Sequence, residues 1–303
     1  MQTEHAPVAL IGSGAVATSL GHALRHAGYP VGAVISASFN SARELAIRLE
    51  ARVASAAFSD LPAGLKAVFV CVPDSAIAEV DRALASRDLD WPGCLVAHTS
   101  GAVAASALSA VKSKGAETLS FHPIQSFPSN GGSSFSVKPL KGVYIGLEGE
   151  DRAIEAGAAF ANAIGSIPVR IPTDLKHRYH LAAAVASNLL VAVVAMANEI
   201  LAPDENRLDA GAEMFLPLIE GTIENLKTKS PERALTGPIV RGDVRTVSKH
   251  LEVLHSELPH LLPAYTSLSA EAVRAAVRGG HISSEIAGDI LDVLLYAIAD
   301  AKQ

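Results

Sequence analysis

The run Val8-Ala9-Leu10-Ile11 stops at Gly12 and continues as Ser13-Gly14-Ala15-Val16-Ala17. Four apolar residues ending at a glycine predict a buried parallel strand that enters a tight turn. Leu20, Leu24 and Ala27 then recur at helical spacing, so the turn opens a helix. In Gly12-x-Gly14-x-x-Ala17, Gly12 permits the turn and Gly14 lets the backbone approach a pyrophosphate. Ala17 is small enough for close helix–strand packing. The free N–H groups of the helix start favour an anion. The expectation is a dinucleotide cradle made by Gly12, Ser13, Gly14, Ala15 and Val16.

A second strand is expected from Val31 to Ser36, after the break at Gly28-Tyr29-Pro30. In units that bind NAD, an acidic residue at the end of this strand holds the ribose 2′-hydroxyl. No Asp or Glu lies between His5 and Arg43. The strand ends in Ser36, Ser38, Asn40 and Ser41, with Arg43 just inside the next helix, a set suited to a 2′-phosphate. Serine and asparagine also cap helices, so the same residues fit a plain helix start. NADP(H) is the expected cofactor.

With 303 residues, 49% of them hydrophobic, the chain has enough length and apolar content for two domains. A net charge of −6 without a basic run argues against a nucleic-acid surface. Cys71 and Cys94 sit in apolar runs, are too few for a metal site, and are expected to be buried, reduced thiols. The first strand begins within seven residues of Met1, so no signal peptide is expected. Leu181 to Ala197 is apolar except for Ser187 and Asn188, near the lower length limit for a membrane span. Because it is alanine-rich and interrupted by polar groups, the expectation is a helix buried on all sides in a soluble, cytoplasmic protein.

Strand and helix alternate up to Pro172, which predicts one doubly wound, mostly parallel α/β domain over residues 1–172. Ala67 to Val72 is a further strand, and Val72 and Pro73 at its end are expected beside the cofactor. Asp74 reads as a cap for a helix from Ser75. Strands at Leu95–Ala97 and Thr118–Phe121 run into His98-Thr99-Ser100-Gly101 and His122-Pro123-Ile124-Gln125. His98, Ser100, His122 and Gln125 could therefore converge, with Ser100, His122 and Gln125 as candidates for holding a substrate. For either histidine a structural hydrogen-bonding role fits as well as a chemical one. Strands at Gly142–Leu147 and Val169–Ile171 flank a helix from Asp151 to Ile164, and Ser129 to Ser136 reads as a surface loop over the site.

From Thr173 the texture is helical, giving an all-α domain over 173–303. Thr173 or Asp174 is expected to cap a long helix that runs to Leu201. At 100° per residue, Lys176, His180 and Ser187 fall within about 40° of one another, with Asn188 roughly 80° beyond His180. A lysine and a histidine on the entry turns of an apolar helix are costly to bury without a purpose. Lys176 and His180 are the catalytic candidates, and Asn188 is a substrate-binding one. In Leu235-Thr236-Gly237-Pro238-Ile239-Val240-Arg241-Gly242-Asp243, Thr236 and Arg241 suit a carboxylate clamp, and Asp243 suits a helix cap. A surface Arg241 paired with Asp243 fits the same residues. Ile290, Leu294 and Ile298 read as packing surface of a final helix.

These motifs (G-S-G-A-V-A, H-T-S-G, F-H-P, K-x-x-Y-H with S-N later in the helix, and L-T-G-P-I-x-R-G-D) together resemble one family of NADP oxidoreductases. Its members pair an N-terminal Rossmann-like domain with a helical C-terminal domain of unassigned function. The architecture is also similar to pyrroline-5-carboxylate reductase, ketopantoate reductase, the β-hydroxyacid dehydrogenases and the helical domain of 6-phosphogluconate dehydrogenase. The resemblance implies NADP(H), a substrate site built with the helical domain, and a homodimer through that domain. Lys176 matches the lysine of the β-hydroxyacid dehydrogenases, but His180 stands where they carry asparagine.

The expected function is NADP(H)-dependent reduction of the carbonyl or imine of a small, carboxylate-bearing metabolite. Two other classes fit parts of the sequence. One is a non-catalytic NADP-binding redox sensor; the other is a dimerisation scaffold with a vestigial glycine loop.

Overall fold

Eight strands form one sheet in the order β3-β2-β1-β4-β5-β6-β7-β8. They are β1 (Val8–Ile11), β2 (Val31–Ile35), β3 (Val53–Ser55), β4 (Ala67–Val70), β5 (Leu95–His98), β6 (Glu117–Pro123), β7 (Tyr144–Gly149) and β8 (Ile167–Arg170). The computed structural model describes residues 5–127, 137–201 and 212–300. The loop expected at Ser129–Ser136 lies outside the described residues. All neighbouring strands are parallel except β6 and β7. Helices α1 (Ala15–His26), α2 (Phe39–Leu49), α3 (Ile77–Ala85), the single turn α4 (Ser109–Lys112) and α5 (Asp151–Ala163) make the crossovers. The chain divides into two units, Met1–Leu189 and Leu190–Gln303. The helical run begins at Thr173, and the first unit extends past the expected boundary through α6 (Lys176–Ala184) to Leu189.

The sheet is apolar on both faces because helices cover both. Successive side chains alternate. Val8 and Leu10 pack with Phe69 and Phe121 in one core, while Ala9 and Ile11 pack with Val68 and Val70 in the other. The register breaks this rule at one place. On β6, Leu119 and Phe121 enter the first core, whereas the alternate positions are Thr118, Ser120 and His122. On β7, Ile145 and Leu147 do the same, and the alternate positions are Gly146 and Glu148. Since Ser120 pairs with Glu148 and His122 with Gly146 across the ladder, a polar patch forms where the second core would otherwise continue.

The second unit holds α7 (Leu190–Leu201), α8 (Leu216–Thr228), the short α9 (Pro231–Ala234), α10 (Val244–Glu257), α11 (Leu262–Arg278) and α12 (Ser284–Asp300). Its core includes Val247, Leu251 and Leu254 of α10, Val273 of α11, and Ile290 and Leu294 of α12. Of the packing stripe read on the last helix, Ile290 and Leu294 enter this core, while Ile298 is half-buried outside it. Asp243 caps α10 through the Thr246 N–H at 3.0 Å and accepts from the Thr246 hydroxyl at 2.6 Å.

Several expectations are corrected. Thr173 and Asp174 do not cap the long helix; neither side chain bonds its N-terminus, and the Thr173 hydroxyl donates to Glu148 at 2.9 Å. Asp74 makes no side-chain cap either, and the helix after β4 begins with a 3-10 turn at Asp74–Ala76. Cys94 is buried and Cys71 partly so; both are free thiols. The largest correction concerns Leu181 to Ala197. Thr173–Leu201 is one helix of 29 residues, long and apolar enough to cross a membrane, and none of its most apolar window is buried. Apolar composition signals that a surface needs a partner; it does not say that the partner is the same chain.

Candidate active site

Gly12 has φ +105°, and a Cβ there would lie 2.2 Å from the Cys71 carbonyl oxygen, so only glycine fits the turn between β1 and α1. Gly14 differs. A Cβ at Gly14 would meet nothing of the protein within 4 Å, so chain packing does not require glycine there, whereas close approach of a bound phosphate does. Ala15 and Val16 form the exposed-edged first turn of α1, and Ala17 is fully buried beneath them. A cavity of about 530 Å³, lined among others by Gly12, Ser13, Gly14, Ser36, Val72 and Pro73, opens at the ends of β1, β2 and β4. That is the point where the strand order reverses, the usual dinucleotide crevice of such sheets.

At the end of β2, Ser36 shares a hydrogen bond with Ser13 at 2.9 Å, tying the glycine turn to the neighbouring strand end. Ser38 caps α2 by accepting from the Ser41 N–H at 3.3 Å. Asn40 on the first turn of α2 and Arg43 just beyond it are exposed, and that first turn carries no acidic residue. The helix start, the hydroxyls and the guanidinium therefore fit the 2′-phosphate of NADP(H) and lack the carboxylate that would repel it.

On the polar patch of β6 and β7, the first turn of α6 sets down Lys176 and Tyr179. The Lys176 ammonium, 2% exposed, donates to Ser120 Oγ at 2.7 Å. Ser120 Oγ in turn donates to the Ser100 carbonyl oxygen at 2.9 Å. Glu148 Oε2 stands 3.8 Å from Lys176 Nζ and accepts the Ala105 N–H at 2.7 Å. Burial draws the Lys176 ammonium below the usual lysine range, while Glu148 and Asp74 oppose that drop. An amine so placed releases a proton more readily than an exposed lysine.

Beside it, Tyr179 Oη lies 2.5 Å from His122 Nδ1. Burial, followed by the charges of Lys176 and His180, pushes His122 down to about 4. Burial pushes the Tyr179 phenol up to about 12. The pair is therefore neutral at physiological pH. His98 is fully buried, with Nε2 3.1 Å from the Ala104 carbonyl and Nδ1 accepting the Ser100 N–H at 3.3 Å. Both ring nitrogens are thereby used within the protein.

Among the residues singled out from sequence, Lys176, His122 and Ser100 come together. Ser100 Oγ accepts the Ala102 and Val103 N–H groups, at 3.1 and 3.0 Å. His180 is exposed, because the turn that meets the sheet runs from Lys176 to Tyr179, an i to i+3 pair. Gln125 is exposed, with its side-chain oxygen taking the Ser126 N–H. Ser187 and Asn188 are exposed in a π-helical segment, Val185–Leu189, whose wider turn breaks the 100° spacing assumed for them. Thr236 and Arg241 are exposed in the second unit. The sequence does not single out Ser120 or Glu148, and it marks Thr173 only as a helix cap. The alternation Thr118, Ser120, His122 within an otherwise apolar strand was the signal available.

Residues 1–123 match the family described as Rossmann-like domain, and residues 143–272 match the one described as Domain of unknown function (DUF2520). No curated protein matches the chain. Among solved structures, a protein provisionally named as an NADP oxidoreductase from Bacteroides fragilis is 26% identical, with 89% of this chain and 99% of that one covered at a TM-score of 0.73. A Thermotoga maritima protein is also 26% identical, covering 89% and 98% at 0.70. An imine reductase from Myxococcus stipitatus, solved with NADP+, shares the fold at 17% identity, covering 95% and 99% at 0.58.

Proposed function

From a Rossmann-like domain followed by a DUF2520 domain, we propose that this chain is an NADP(H)-dependent oxidoreductase that reduces the carbonyl or imine of a small metabolite. The observation that carries this reading is a buried amine, Lys176, bonded to Ser120 in the same unit as a glycine turn suited to a dinucleotide. When bound, NADP(H) supplies the hydride.

The chain supplies position and a proton. Gly12, Ser13, Gly14 and the α1 start hold the pyrophosphate, and Ser36, Ser38, Asn40, Ser41 and Arg43 hold the 2′-phosphate. Lys176 Nζ gives its proton to the substrate oxygen or nitrogen as hydride reaches the adjacent carbon, leaving a neutral amine that water reprotonates. Ser100 and His122 help hold the substrate, with His180, Gln125 and Asn188 as further candidates. Exposed Arg241 and Thr236 are our candidates for a substrate carboxylate. The exposed apolar residues of the helical unit, among them Val191 and Leu218 at 68% each, are covered by a second copy of the chain, making a homodimer in the cytoplasm.

The test is Lys176→Ala, with NADPH affinity and turnover measured on the same folded protein over a panel of 2-oxo acids and cyclic imines. Turnover lost with affinity retained supports the assignment. Equal loss of both assigns Lys176 to folding and removes it from the chemistry.

A further inference from the structure

Glu148 is a carboxylate that is 3% exposed, in a strand whose neighbours Leu147 and Ile145 are core residues. Burying an anion there is costly unless donors surround it. Three do, from three separate segments. The Ala105 N–H comes from the loop after β5, the Thr173 hydroxyl from the turn before α6, and the Lys176 ammonium from α6 itself. Each of the first two makes a hydrogen bond under 3 Å, at 2.7 and 2.9 Å, while the lysine stands off at 3.8 Å. The tight contacts hold the carboxylate, and the looser one acts on the amine.

We propose that Glu148 is the positioning residue of Lys176: fixed by Ala105 and Thr173, its carboxylate anchors the first turn of α6 against β7 and keeps the ammonium charged over Ser120. The inference rests on the reading of Lys176 as proton donor for its catalytic consequence, but not for its electrostatic one. Ser120 alone does not do this work. Its hydroxyl proton is committed to the Ser100 carbonyl at 2.9 Å, so it offers Lys176 a lone pair and no charge. The other groups facing the amine are Asp74 after β4, His98 of β5 and His122 of β6. Asp74 is exposed and screened by solvent, and both histidines are pushed toward the neutral form, chiefly by burial. Glu148 is thus the dominant buried counter-charge.

The experiment is an NMR titration of the full chain labelled with 13C-lysine, the Lys176 signal being assigned by its loss in Lys176→Arg. Glu148→Gln keeps the shape and removes the charge. Its Lys176 midpoint falls by about one pH unit or more, a tenfold or greater loss of proton affinity. Thr173→Val, at an exposed position, frees one carboxylate oxygen and gives a smaller shift in the same direction; it serves alone if Glu148→Gln does not fold. An unchanged midpoint in the folded variants overturns the proposal. In turnover, the alkaline limb of the reduction profile moves to lower pH by the same amount. Should the NMR midpoint move while no variant or wild type turns over, the positioning role stands and the reductase reading falls.

Discussion

Tyr179 reaches His122 Nδ1 at 2.5 Å, with the two rings edge-on at 87°. It does so by occupying the space above Gly146, where a Cβ would come within 2.6 Å of the phenol oxygen. A glycine in the middle of β7 is thereby explained by the α6 side chain that lies on it. Gly146→Ala should push Tyr179 off His122 and cost about 1–3 kcal/mol of stability, as overpacking does. Thermal unfolding checks the cost, and turnover should fall with it. A variant as stable and active as the parent would show that the contact is dispensable.

The charge state of this pair gives a pH dependence. The folded-state value of His122 is about 4, against 6.5 as its ordinary value. Between these values the unfolded chain binds the proton and the folded one does not, so the contribution of His122 is complete above pH 6.5 and is lost as pH falls toward 4. His98 is shifted the same way by burial. Urea melts across this window should show stability falling with acid, and His122→Phe should flatten the slope by up to one proton. Identical slopes would mean that His122 is not buried neutral.

Glu148 and Lys176 form a buried ion pair, and such pairs are sensitive to losing one partner. Lys176→Met leaves the carboxylate with its two hydrogen bonds and no cation, and should cost on the order of 3 kcal/mol. Adding Glu148→Gln should return most of that stability while turnover stays absent. A double variant no more stable than the single one would deny the coupling.

The two glycines of the cradle separate packing from binding. Gly12→Ala meets the Cys71 carbonyl at 2.2 Å with φ at +105°, and should destabilise the fold as well as abolish cofactor binding. Gly14→Val has no protein atom within 4 Å of its Cβ. It should leave the fold within about 1 kcal/mol of wild type and weaken NADPH binding by roughly tenfold or more, measured by calorimetry.

The sheet was legible in the sequence where strands are continuous apolar runs: Val8–Ile11, Val31–Ile35 and Ala67–Val70 are buried throughout. The three-residue β3, Val53–Ser55, is too short to show a period and was missed. The site was half legible. Lys176 stood out because a cation enters an apolar helix, but its partners did not. The β7 strand was expected to end at Leu147, one residue before Glu148, and runs instead to Gly149. Helical spacing favoured His180, while the sheet selects Tyr179 because the i and i+3 positions point at β6 and β7. Exposure of the long helix was hidden for a different reason. Hydropathy reports a need for burial and carries no record of what does the burying.

NADP(H) binding is the claim on which the others rest, and parallel fluorescence titrations of the purified chain with NADPH and NADH test it most directly. NADPH should bind at least about tenfold more tightly than NADH, since Ser36, Ser38, Asn40, Ser41 and Arg43 offer donors to the 2′-phosphate and no Asp or Glu ends β2 or stands on the first turn of α2. If neither cofactor binds at millimolar concentration, the glycine turn holds no dinucleotide and the oxidoreductase reading is wrong.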